Sequence, residues 1–179
     1  EYYVDHQGDS AQSGRFIIRS NQRQANFDVY QVALGDASEN SSAQLNPANW
    51  QSIVAGDERT YLTNHLVLQT HLLVEARIDG LDQMMVVEQN GDSHLIQMPE
   101  ESYSLGFGTN ADYKSKFLRL SYTSMVTPNT VYDYTLDTRD LQQRKVQQVP
   151  GGYDAKNFVT RRLMAPARDG TQVPISLVQ

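Results

Sequence analysis

Twelve short β-prone runs fall into three groups of four, and this recurrence constrains the fold of the 179-residue chain most. The first group is Glu1 to His6, Arg15 to Ser20, Phe27 to Leu34 and Trp50 to Ala55. The second is His65 to Gln69, Leu72 to Ile78, Gln83 to Glu88 and His94 to Met98. The third is Tyr103 to Gly108, Phe117 to Thr123, Thr130 to Leu136 and Gln142 to Val149. The groups repeat every ~45–55 residues, the spacing of four-stranded blades in a β-propeller. Turn formers separate paired runs at Asp79-Gly80, Asn90-Gly91-Asp92 and Asp137-Thr138-Arg139-Asp140. Phe16-Ile17-Ile18, Leu72-Leu73-Val74 and Met84-Met85-Val86-Val87 are apolar on both faces. A strand with one wet face would alternate instead, so these runs call for burial on two sides. A blade between two neighbours provides that, and so does a β-sandwich core. Pattern alone leaves both architectures open.

Two segments interrupt the rhythm. Gly35 to Asn49 is rich in turn formers and reads as a surface loop containing an Asn40-Ser41-Ser42 glycosylation pattern. Gln148 to Asn157, with Pro150-Gly151-Gly152, reads as a linker. Beyond it, Val159 to Ala165, the turn Arg168-Asp169-Gly170 and Val173 to Val178 predict a hairpin. The chain opens in one predicted strand and stops in another. The expectation is therefore a fragment of a longer protein, with the hairpin opening a further domain.

Composition narrows the chemistry. The absence of cysteine excludes disulfides, thiolate metal sites and a Cys nucleophile, and suits a reducing compartment such as the cytoplasm. A net charge of −6 disfavours nucleic acid and anionic membrane as partners. No apolar run approaches the ~18 residues of a membrane-spanning helix.

Several stretches, in this order, resemble the oligopeptidase B branch of the prolyl oligopeptidase family of serine peptidases. They are Glu1-Tyr-Tyr-Val-Asp-His6, Arg15-Phe-Ile-Ile-Arg-Ser-Asn21, Asn49-Trp-Gln-Ser-Ile-Val54 and Leu73-Val-Glu-Ala-Arg-Ile-Asp-Gly-Leu81. Further on come Tyr122-Thr-Ser-Met-Val-Thr-Pro128, Val131-Tyr-Asp-Tyr134 and Ala167-Arg-Asp-Gly-Thr-Gln-Val-Pro-Ile-Ser-Leu-Val178. The resemblance implies an all-β portion of a seven-bladed propeller over residues 1–149, with blades at about 1–58, 59–100 and 101–149. It implies that 150–179 is the linker and first hairpin of an α/β-hydrolase domain. It further implies hydrolysis of short peptides after Lys or Arg, with the propeller limiting access by size. A propeller interaction module without peptidase activity is the competing expectation.

The catalysis of such a family needs a Ser on a Gly-x-Ser-x-Gly elbow with a His base and an orienting Asp. The elbow is absent: Gly8-Asp-Ser10 and Gly91-Asp-Ser93 both lack the second Gly. The resemblance places the triad beyond Gln179, so no catalytic residue is expected within the chain. His6, His65, His71 and His94 read as polar residues of strand ends and turns, and no carboxylate stands at useful sequence spacing from His65 or His71. Asp5 and His6 point to opposite faces of one strand and do not share an ion, so no metal or cofactor is expected. Tyr2, Tyr3, Tyr30, Tyr122, Tyr132 and Tyr134 fall in predicted strands, where blade packing with a partnered hydroxyl is their expected use. The innermost strand of each blade should line a central channel, which makes Asp5 and Gln69 candidates to touch a passing peptide.

A partial ring also leaves its end blades without a neighbour. An exposed apolar face of ~500 Å² forgoes about 12 kcal/mol of burial, comparable with the whole ~5–15 kcal/mol of a domain. Self-association through the open blade faces, or partial disorder of the end blades, is the expectation.

Overall fold

The computed structural model describes residues 1–10, 13–34 and 46–179. Its strands form three four-stranded antiparallel sheets and one hairpin. The first sheet is β1 (Tyr2–Ser10), β2 (Ser13–Ser20), β3 (Asp28–Ala33) and β4 (Gln51–Ala55). The second is β5 (Thr60–Val67), β6 (His71–Ile78), β7 (Leu81–Glu88) and β8 (Ser93–Leu95). The third is β9 (Ser104–Phe107), β10 (Phe117–Thr123), β11 (Thr130–Thr135) and β12 (Leu141–Val146). Each is a meander in which sequence neighbours pair. The hairpin is β13 (Thr160–Pro166) and β14 (Gln172–Val178). Most of the expected loop, and the whole Asn40-Ser41-Ser42 pattern, lies outside the described residues. Its end, Pro47–Asn49, is a single 3-10 turn capped by the Asn46 side chain.

Turn chemistry sets the strand pairing. Asp79 and Gly80 both take positive φ, 51° and 80°, and join β6 to β7 with Ile78 opposite Leu81. Such a turn matches the twist of the strands it links. At the far end of β1 a bulge follows Gln7, where the backbone of Gly8 meets that of Ser13. A Cβ on Gly14 (φ 115°) would lie 2.1 Å from the Gln7 carbonyl oxygen, so the close approach requires glycine.

The sheets stack face to face. Ile17, Val29 and Val54 of the first pack with Leu62, Leu72, Val74, Ala76 and Val87 of the second. Leu73, Met84 and Val86, on the second sheet's other face, pack with Leu118, Leu120, Tyr122, Tyr132 and Tyr134 of the third. Leu72 and Leu73 are both buried because they serve opposite interfaces, which is the two-sided burial that the apolar runs call for. These are propeller blades rather than a sandwich: a sandwich has one core, whereas the middle sheet here carries one on each face.

The two open faces are not alike. On the third blade, Arg119 and Asp133 pair across β10 and β11 on the face turned away from the core. Asp133 takes a two-pronged contact from Arg119 (2.8 and 3.0 Å) and a third from Arg144 (3.1 Å). Strand alternation sends Leu118, Leu120 and Tyr122 inward and leaves a mixed outer face, where Arg119 and Asp133 lie beside Phe117, itself 43% exposed. On the first blade Ile18, Tyr30 and Val32 form a small buried cluster with Phe16 and Trp50, while Tyr2 and Val4 stay 71% and 48% exposed.

Candidate functional site

The candidate site is the polar seam where β1 meets the second blade. Alternate residues of β1 share one face, and Asp5, Gln7 and Asp9 all turn toward that blade. The Asp5 carboxylate lies 2.9 Å from Nε2 of His65 on β5. Gln7 donates to the carbonyls of Leu68 (2.6 Å) and His71 (3.3 Å). Asp9 accepts from Gln69 at 2.8 Å. The third blade joins through Tyr113, whose hydroxyl receives the Gly8 amide at 2.9 Å and whose carbonyl receives the Gln69 amide at 2.8 Å.

Asp5 and Gln69 are thus both on the seam but not together. Asp5 sits four residues before Asp9, the partner of Gln69, which is about 13 Å along a strand. A cleft of about 710 Å³ opens at the Gln69 end, lined by Gln7, Asp9, Arg15, Gln69 and Tyr113 among others. Arg15 donates to Gln7 at 2.8 Å and also to Gln31, and burial lowers its pKa. The cleft therefore offers one carboxylate, one guanidinium and several amides.

At the Asp5 end, His65 is nearly fully covered, while Asp5 is exposed. The short contact between them lies off the hydrogen-bond direction, so neither imidazole nitrogen is satisfied by one. Burial pushes the His65 pKa below its ordinary 6.5; Asp5 opposes that shift and Arg19 adds to it. Arg19 is itself buried, with its guanidinium 4.2 Å from the Tyr3 ring centre and 4.7 Å from that of Phe27, and donating to the Leu62 carbonyl at 3.1 Å. The expectation that His65 has no carboxylate is corrected here. Its partner lies sixty residues away in sequence and arrives only through blade stacking.

The other histidines behave as polar structural residues. His6 Nε2 contacts the Ser13 carbonyl, His71 Nδ1 contacts Thr70 of its own turn, and His94 Nε2 contacts the Tyr134 hydroxyl. Among the described residues, no group of three His, Asp or Glu side chains is placed to hold a metal. Tyr30, Tyr122 and Tyr134 are packed with partnered hydroxyls as expected, on Asp28, Glu100 and His94, whereas Tyr2 and Tyr3 stay 71% and 46% exposed.

Stacked four-stranded meanders, the middle one buried on each face against a neighbour, define part of a β-propeller. Residues 1–147 match the family model described as "Prolyl oligopeptidase, N-terminal beta-propeller domain". The chain belongs to this family, whose members are serine peptidases. It is 34% identical to dipeptidyl aminopeptidase BI of Pseudoxanthomonas mexicana and 28% identical to protease 2 of Moraxella lacunata, each over 99% of this chain and 23% of the relative. Oligopeptidase B from Trypanosoma brucei, solved with covalently bound antipain, superposes with a TM-score of 0.76 at 26% identity, over 99% of this chain and 25% of that one. The chain thus spans about a quarter of the length of these relatives.

Proposed function

We propose that this chain is a non-catalytic, substrate-gating part of a cytoplasmic serine oligopeptidase that cleaves short peptides after Lys or Arg. The observation that carries the reading is the seam of Asp5, Gln7 and Asp9, which turns carboxylates and an amide toward β5 and the β5–β6 turn of the second blade. Asp5 and Asp9 favour a cationic peptide, and the Gln69 cleft offers backbone partners. The likeness to protease 2 and to oligopeptidase B structures supports the peptidase reading, and cleavage after basic residues is what the sequence resemblance implies. The 34% identity to a dipeptidyl aminopeptidase favours a second reading, release of dipeptides from a free N-terminus.

The test uses the full-length gene product with Arg-ended reporter peptides of increasing length, free or blocked at the N-terminus. The proposal expects blocked short peptides to be cleaved after Arg, with kcat/KM falling steeply as length grows. Cleavage confined to free N-termini supports the dipeptidyl reading. Length-independent cleavage removes the gating role.

A further inference from the structure

The hairpin β13–β14 is attached to the blades differently from the way the blades are attached to one another. None of its residues belongs to the buried apolar clusters among the described residues. Leu163, Ile175 and Leu177 remain 52%, 43% and 40% exposed. Its attachment is polar and centres on Glu100 and Glu101, in the segment between β8 and β9 that links the second blade to the third. The Glu100 carboxylate accepts from four hydroxyls: Tyr122 (2.9 Å), Ser124 (2.8 Å), Thr127 and, from β13, Thr160 (3.0 Å). Glu101 accepts from the Arg161 guanidinium (2.7 Å) and from the Arg162 backbone amide (3.1 Å). Ser102 adds a hydroxyl contact to Ser176 at 2.5 Å, and Arg162 reaches the Asp79 carbonyl.

We propose that Glu100 and Glu101 form a charge latch that docks the β13–β14 hairpin on the junction of the second and third blades. Glu100 also couples that docking to the packing of the third blade. Three of its four donors belong to β10 and the turn after it, and the Ser124 hydroxyl also receives the amides of Val126 and Thr127. The fourth, Thr160, is only 4% exposed and sits at the root of the hairpin. An isolated two-stranded hairpin is at best marginally stable in water. Losing the latch therefore frees a segment that then frays, because polar inter-unit contacts release more readily than apolar ones.

Hydrogen exchange of the 179-residue chain, resolved by residue, tests this. Glu101→Gln removes the charge but keeps the shape. It should raise exchange of the β13–β14 amides several-fold, Arg162 first, and leave β1–β4 unchanged. Thr160→Val removes one donor from Glu100, spares the other three and should raise hairpin exchange alone. Glu100→Gln should raise exchange in the hairpin and in the Ser124–Thr127 turn together. Unchanged hairpin exchange in Glu101→Gln and Thr160→Val would overturn the latch. A uniform rise through β1–β4 in Glu100→Gln would show a general stability defect and overturn the coupling.

Discussion

Replacing Leu73 by Ala probes the stacking of the second and third blades. Leu73 is fully buried (0% exposed), in a cluster shared by Met84 and Val86 of its own blade and Leu118, Leu120 and Tyr122 of the next. A Leu→Ala change at such a site costs about 2–5 kcal/mol, through lost burial plus the cavity left behind. Well-fitted packing on both sides restricts collapse around the cavity, so a mid-range loss of about 3 kcal/mol is expected. For a chain of this size each kcal/mol lowers Tm by ~2–4 °C, which gives a drop of about 6–12 °C. The control is Leu163→Ala on the hairpin, where Leu163 is 52% exposed. It should change stability by no more than about 0.5 kcal/mol. Urea midpoints and thermal melts followed by circular dichroism measure both. If Leu73→Ala costs no more than Leu163→Ala, the second and third blades do not pack through Leu73.

Further outcomes follow from the same contacts. Burial depresses the folded-state pKa of His65, so the unfolded chain binds its proton more readily; stability should be full above pH 6.5 and decline as pH falls below it. Urea midpoints against pH should show that decline in the parent and lose it in His65→Leu. Burial works to raise the Glu100 pKa, but the hydroxyls of Thr127, Ser124, Tyr122 and Thr160 outweigh it and hold it below its ordinary 4.5. Its contribution is therefore present above pH 4.5 and lost as pH drops through the lowered value, a loss that Glu100→Gln should abolish in acid titrations. Gly14→Ala should cost about 1–3 kcal/mol in chemical denaturation, because φ is positive and a Cβ would strike the Gln7 carbonyl. Sedimentation of the chain should show self-association through the Tyr2 and Val4 face of the first blade, weakened by Val4→Lys. A monomer at every concentration would remove that proposal.

The strand pattern was legible where local chemistry decides it. Asp79-Gly80 marked its turn, and Leu72-Leu73-Val74 announced burial on two faces. The start of β5 was less so. The pattern places it at His65, whereas the strand begins at Thr60, because Thr60, Thr63 and Asn64 dilute its apolar signal and a bulge near Leu62 breaks its alternation. The Asp5–His65 contact was not legible, since nothing within either strand encodes which blade residues will face each other. The Tyr122 to Pro128 stretch was legible as part of a resemblance, but its chemistry was not. Tyr122, Ser124 and Thr127 converge on Glu100, more than twenty residues earlier in the chain.

On the proposed function, the chain supports a serine peptidase whose catalytic centre lies outside residues 1–179. A serine-reactive phosphonate probe tests it most directly, applied in parallel to the 179-residue chain and to the full-length gene product. The full-length product should be labelled, with loss of Arg-reporter cleavage, and the 179-residue chain should show neither labelling nor cleavage. Stoichiometric labelling of the 179-residue chain, or no labelling of the full-length product, would contradict it.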